Sequence, residues 1–188
     1  MIKPNYQNST QKIIETLKKR KLVILKCDTI YGIAGKAPET YDTLCNIKGR
    51  EAHQSFLILI PSEKELTAFT DTALPANLKS WWPGPLTIIF PGKSGTASVA
   101  LRIPADPLLL SIMQEGNLAL YSTSVNFHGE PPLGMIDEII EKFDSRVDLI
   151  VDSGNLLKGI PSTIIDIRYS PYKLIRQGAL HLPGDMCR

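Results

Sequence analysis

The chain has 188 residues, 43% of them apolar and 21% charged, with a formal net charge of +2 and a pI near 8.4. That length and balance suit one packed domain over residues 1–188 and exclude a disordered or fibrous chain. The charge is too small for binding nucleic acid by bulk electrostatics, which leaves a local basic cleft as the place for an anion.

The N-terminal MIKPNYQNSTQK is polar and lacks an apolar h-region, and no apolar run approaches a membrane span, so a soluble, cytoplasmic chain is expected. Ser9 is positioned to cap a first helix in which Ile13, Ile14 and Leu17 keep helical spacing. The basic run from Lys18 to Lys21 suits the C-terminal end of that helix. LVILK from Leu22 then reads as a buried strand. In CDTIYGIAGKA, Gly32 and Gly35 interrupt regularity around small polar groups, which predicts a functional loop.

Pro38 fits the first turn of a second helix with Tyr41, Leu44, Cys45 and Ile47 as its apolar stripe, and Gly49 stands where a left-handed cap belongs. Lys48 and Arg50 therefore flank a helix exit, two cations around a glycine immediately before the strand FLILI. Ser62 and Glu65 match a capping box, and a further helical piece runs to Trp82, where Pro83 ends it. PLTIIF and SVALRI read as a hairpin across PGKSGTA. Asp106 and Pro107 open a helix that Gly116 closes. LALYSTSVN is a strand, MIDEIIEKF a helix, and DLIVDSG, STIIDIR and YKLIRQG are closing strands. The predicted class is mixed α/β, a twisted sheet of parallel and antiparallel strands with packed helices.

Cys27, Cys45 and Cys187 are odd in number with no C-x-x-C spacing, and His53, His128 and His181 are scattered. Neither a disulfide framework nor a protein-ligated metal is suggested. P-loop, dinucleotide and nucleophile-elbow motifs are absent from the sequence, so any anion site is assembled from separated segments. In YSTSVN the strand period puts Ser122, Ser124 and Asn126 on one side, followed by the stiff turn HGEPP. Arg102 shares a face with Ala100 and Pro104, and Arg176 stands in LIRQG; each guanidinium is a candidate anion clamp. A solvated edge strand explains the serine row equally well, and exposed strand cations explain the two arginines.

Taken together, KCDTIYGIAGKA, IKGREAHQSFLILI, WWPGPLTIIF, ALRIPADP, YSTSVNFHGEPP, STIID and LIRQGA closely resemble the YrdC-like family of threonylcarbamoyl-AMP synthases, in the short form. The resemblance implies a concave basic cleft and the joining of L-threonine, bicarbonate and ATP into L-threonylcarbamoyladenylate with release of pyrophosphate. The product then serves threonylcarbamoylation of adenosine in tRNAs, performed by a separate transferase complex that is an expected transient partner. By position, Lys48 and Arg50 match the family's K-x-R pair on the ATP phosphates and are the implied catalytic cations. Ser122, Ser124, Asn126, Ser162 and Arg176 match nucleotide-contacting blocks, while Thr29, Tyr31 and Arg102 match the threonine pocket, with Arg102 facing the carboxylate. Mg²⁺ is expected to arrive on the ATP phosphates without a protein cage.

Four features depart from the family pattern: Glu51 replaces a proline; Gln54 with Ser55 replaces a basic residue and its neighbour, so one cation is missing at the cleft mouth; Asp106 stands where a histidine is frequent; and Cys27 takes the place of the usual proline beside Thr29. Two other functions stay open at this point: an RNA-binding module, and a paralogue acting on another carbamoyl or adenylate substrate.

Overall fold

The computed structural model describes residues 1, 6–28, 30–49, 55–156 and 159–187. Helix α1 (Tyr6–Lys18) leads into the antiparallel hairpin β1 (Val23–Cys27) and β2 (Ile30–Lys36), then α2 (Tyr41–Lys48) and β3 (Leu57–Leu59). Two 3₁₀ segments, Glu63–Ala68 and Ala76–Trp81, precede β4 (Leu86–Phe90) and β5 (Val99–Arg102). Helix α3 (Pro107–Gly116), β6 (Leu120–Ser124) and α4 (Ile136–Phe143) follow. The strands β7 (Leu149–Ile150), β8 (Thr163–Asp166) and β9 (Lys173–Arg176) complete one mixed sheet in the order β7-β1-β2-β6-β3-β5-β4-β8-β9.

Three apolar clusters flank this sheet. Ile13, Ile14 and Leu17 of α1 and Leu109, Ile112 and Met113 of α3 pack on Val23, Leu25, Ala34, Leu59 and Leu120. Leu44 and Cys45 of α2 and Ile139 and Phe143 of α4 cover the opposite face through Ile24, Tyr31 and Ile33. Leu66, Leu78 and Trp82, beside Ile88, Leu101 and Ile165, form the core under the second half of the sheet. Alternation along each strand divides its residues between the two faces.

Several local expectations hold. Gly49 (φ 58°, ψ 33°) caps α2 in the left-handed region, where an L side chain is disfavoured. Asp106 caps α3 by accepting from Leu109 N at 3.1 Å, with Pro107 at the first helical position. The hairpin of β4 and β5 is present, with Ile89 opposite Ala100.

Other expectations are corrected. Ser9 lies inside α1, which starts at Tyr6, and is 4% exposed as part of the packed face. Gly32 and Gly35 do not break a loop; they sit within β2, where close neighbours demand the absence of a side chain. Pro38 precedes α2 and lies outside its first turn. Ser62 does cap, accepting from Lys64 N at 3.3 Å and donating to Glu65 Oε2 at 2.6 Å, but the segment it opens is 3₁₀. Asn117 (φ 51°), one residue past Gly116, makes the left-handed turn that ends α3. β6 is an interior strand between β2 and β3, so the edge-strand explanation of its serines fails.

Candidate active site

The face of the sheet that α1 and α3 cover at one end is open further along. Ala34 pairs with Ser122 and Gly32 with Ser124; on the far side Ile89 pairs with Ala100, Thr87 with Ile164, and Ile164 with Arg176. Strand alternation therefore brings Ser122, Ser124, Arg102, Thr87 and Arg176 to a single face. The side chains there are short and polar, so they offer a helix little apolar area to bury. The result is a cavity of about 360 Å³ lined by these residues, with Ser162, Cys27, Ile30, Tyr31 and Gly32 at its wall. That volume lies in the range of small-molecule sites.

Arg102 projects from the last position of β5 and is 3% exposed. Its Nη2 donates to Cys27 O at 3.3 Å and lies 3.7 Å from Asp28 Oδ2. Burial pulls the guanidinium below the ordinary arginine range, and the charge of Asp28 pulls it back. Asp28, at φ 65° in the hairpin turn, is steadied by accepting from Asp106 N at 2.6 Å through Oδ1.

Arg176 stands across the cavity. Its Nε and Nη2 donate to Ser162 O at 3.1 and 2.8 Å, and Nη2 also reaches Ser162 Oγ at 3.3 Å. Ser162 Oγ is in turn 2.8 Å from Thr87 Oγ1. Burial lowers the Arg176 pKa, and the charge of Arg102 lowers it further, so the two guanidiniums feel one another across the space. Two like charges facing one cavity with a hydroxyl rim suit an anionic ligand.

The sequence profile of the Sua5/YciO/YrdC family, described as "Telomere recombination", matches residues 15–178. The chain belongs to this family. Among its relatives, the threonylcarbamoyl-AMP synthase of Pyrococcus abyssi is 28% identical over 180 residues, covering 88% of this chain and 53% of its own length. The protein of that name from Escherichia coli K12 is 25% identical over 182 residues, covering 88% and 93%. The chain thus spans about half the length of the Pyrococcus relative and nearly all of the E. coli one. The crystal structure of P. abyssi Sua5 complexed with L-threonine superposes with a TM-score of 0.85 at 25% identity, over 95% of this chain and 57% of that one. E. coli YciO shares the fold, with a TM-score of 0.83 at 21% identity over 96% and 95% of the two chains.

Within this Sua5/YciO/YrdC fold, Ser122, Ser124, Ser162, Arg102 and Arg176 meet at the cavity. Asn126 stands just behind it, with Oδ1 accepting from Ser124 Oγ at 2.6 Å. Thr29, Arg50, Glu51 and Gln54 lie outside the described residues.

Tyr31 is among the residues at the cavity wall through its place in β2, while its ring packs in the core on the opposite face. Its hydroxyl donates to Gly154 O and accepts from Ser153 N, each at 2.8 Å. Strand alternation forces this, because Tyr31 is adjacent to Gly32, whose Cβ direction is the cavity side. The Lys48 ammonium is also not presented to the cavity. It is 1% exposed and donates to Ser124 O at 2.9 Å, Asn126 O at 2.6 Å and Asn126 Oδ1 at 2.5 Å.

Sequence reasoning missed Asp28, Cys27 and Thr87. Thr87 carried a signal, as the one hydroxyl in the apolar run LTIIF. Asp28 carried one too, as a carboxylate in the turn joining two strands. Among the described residues no group of His, Cys, Asp and Glu is arranged to hold a metal, and no helix is long and apolar enough to cross a membrane.

Proposed function

We propose that this chain makes L-threonylcarbamoyladenylate from L-threonine, bicarbonate and ATP, releasing pyrophosphate for tRNA threonylcarbamoylation. The observation that carries the reading is the placement of Arg102 and Arg176 on one cavity with hydroxyls between them. It is supported by the names of the relatives and by the fold shared with a threonine-bound Sua5.

The threonine ammonium gives up one proton, and the free amine adds to the carbon of bicarbonate with loss of water, so that the nitrogen becomes a carbamate. A carbamate oxygen then attacks the α-phosphorus of ATP, the bond from that phosphorus to the β-bridging oxygen breaks, and pyrophosphate departs. Both partners in the second step are anions, so the protein's task is orientation and charge compensation, with no covalent enzyme intermediate. Arg102, buried and held from behind by Asp28, receives the amino acid carboxylate. Arg176 and Ser162 close on the nucleotide, and Ser122 and Ser124 form the wall against it, with Asn126 bonded to Ser124 from behind. Arg50 and Thr29 keep the roles that the family resemblance gives them, on the phosphates and in the threonine pocket. Mg²⁺ would enter as the ATP complex, held by phosphate oxygens, as the family resemblance implies.

Pyrophosphate release from ATP and Mg²⁺, with threonine and bicarbonate omitted in turn, tests this. Release that needs both co-substrates is the expected result. Release that continues without threonine would overturn the assignment in favour of a plain pyrophosphohydrolase.

A further inference from the structure

Helix α2 ends at Lys48 because Gly49 turns the chain into the left-handed region. The stem of Lys48 then runs to the end of β6 and places its ammonium among Ser124 O, Asn126 O and Asn126 Oδ1, behind the lining residue Ser124, and Lys48 itself does not line the cavity. We infer that Lys48 is a positioning residue that fixes the Ser124–Asn126 corner from beneath and does not touch the substrates.

Asn126 Oδ1 accepts from Lys48 Nζ at 2.5 Å and from Ser124 Oγ at 2.6 Å, while its Nδ2 donates to Glu130 O at 2.5 Å. A flipped amide would set an NH₂ group against an ammonium and a hydroxyl hydrogen, so the cation dictates which way the amide points. The Ser124 hydroxyl hydrogen is thereby committed to Asn126. Its lone pairs are left for the cavity, and Ser124 meets a ligand as an acceptor. At this corner of the cavity Ser124 therefore offers an anion no donor, and that role falls to the guanidiniums and the other lining hydroxyls. A buried ammonium with three oxygen acceptors is also rigid, as a corner that must hold its shape requires. Within the K-x-R pair, Lys48 therefore shapes the wall.

The inference rests on the synthase reading for its chemistry, but it is tested first by binding. ATP and AMP affinities are measured by calorimetry for the wild type, Lys48→Met, Lys48→Arg, Asn126→Ala and Lys48→Met/Asn126→Ala, followed by turnover per folded molecule. Lys48→Met is expected to weaken ATP and AMP by the same factor, because it deforms a wall and removes no phosphate contact. It is also expected to lower turnover by about 10²-fold, with no more than roughly threefold further loss once Asn126 is already alanine. Lys48→Arg should fail similarly, since a planar guanidinium cannot reproduce the point contact of an ammonium with three converging oxygens; this variant carries the test if the methionine protein does not fold. A loss that grows from AMP to ATP, rescue by arginine, or factors that multiply in the double variant would each show a direct phosphate contact and overturn the inference. A fall in thermal stability with unchanged turnover would reduce Lys48 to a structural strut and overturn it as well. A wild type that binds both nucleotides but releases no pyrophosphate refutes the synthase reading alone, while the affinity comparison still decides Lys48. A wild type that binds neither refutes both.

Discussion

Arg102 Nη2 and Asp28 Oδ2 stand 3.7 Å apart with side chains only 4% and 8% exposed, yet neither Arg102 Nε nor Asp28 Oδ2 makes a hydrogen bond. The pair balances charge without consuming the donors that a ligand needs. On the proposed reading, a carboxylate arriving at Arg102 would complete a set that folding leaves incomplete.

Arg102→Ala should therefore act twice. It should lower kcat/KM for threonine by roughly 10²-fold while affecting ATP far less, as expected for loss of a buried charge-assisted bond. It should also leave Asp28 buried without its counter-charge, at a cost of about 3 kcal/mol in stability. Adding Asp28→Asn should recover much of the stability in urea titrations but none of the threonine affinity. Equal effects of Arg102→Ala on both substrates would return it to a shared or structural role.

Arg176 differs because its fork is already half used on Ser162 O. Arg176→Ala should weaken ATP by roughly 10²-fold and threonine little. Arg176→Lys should not restore it, since an ammonium cannot hold Ser162 O bidentately and face the ligand at once. The remaining ATP affinity of the alanine variant should depend less on salt than that of the wild type, which initial rates across an ionic-strength series would reveal. An unchanged salt response would remove Arg176 from the phosphate environment.

Much of this was legible in the sequence for physical reasons. Period-two alternation in SVALRI put Arg102 with Ala100 and away from Leu101, and the structure keeps that division. The same rule, applied to YSTSVN, found the serine row. What stayed hidden depended on contacts between distant segments. The burial of Lys48 requires knowing that the end of β6 lies under the C-terminus of α2, which no local pattern encodes. The direction of the Tyr31 ring stayed hidden because a family resemblance names a neighbourhood, and within a strand adjacent residues point to opposite faces. The glycines of β2 looked like loop punctuation because their cause is cross-strand crowding, not turn geometry.

Gly32 makes that crowding testable. A Cβ there would lie 2.7 Å from Cys27 Sγ and 3.1 Å from Ser122 Oγ, both on the cavity floor. Gly32→Ala should destabilise the protein by about 1–3 kcal/mol, typical of overpacking, and reduce turnover by disturbing Ser122. Cys27→Ala in the same chain removes the sulfur and leaves the Cys27 Cβ contact at an ordinary 3.4 Å, so the pair should regain part of both losses. Purely additive effects in chemical denaturation would mean that the sulfur is not the obstacle.

The Cys27 thiol has its own pH signature. Burial pushes it from an ordinary value of 9.0 up to about 11, against the opposing pull of the Arg102 charge and the Ser122 hydroxyl. The unfolded thiol loses its proton near pH 9, while the folded one keeps it until about pH 11. The stabilising contribution is therefore fully present below pH 9 and is lost as pH rises through about 11. The whole effect amounts to roughly 3 kcal/mol. Tyr31, Tyr41 and Tyr121 are also raised by burial and add to alkaline unfolding, so the wild-type curve alone cannot isolate the thiol. The informative quantity is the difference between wild type and Cys27→Ala in urea titrations from pH 8 to 11. The stability gap between the two should shift steadily against the wild type over that interval. A gap that stays constant with pH would mean that Cys27 ionises equally in both states and that water reaches the floor of the cavity more freely than its 3% exposure implies.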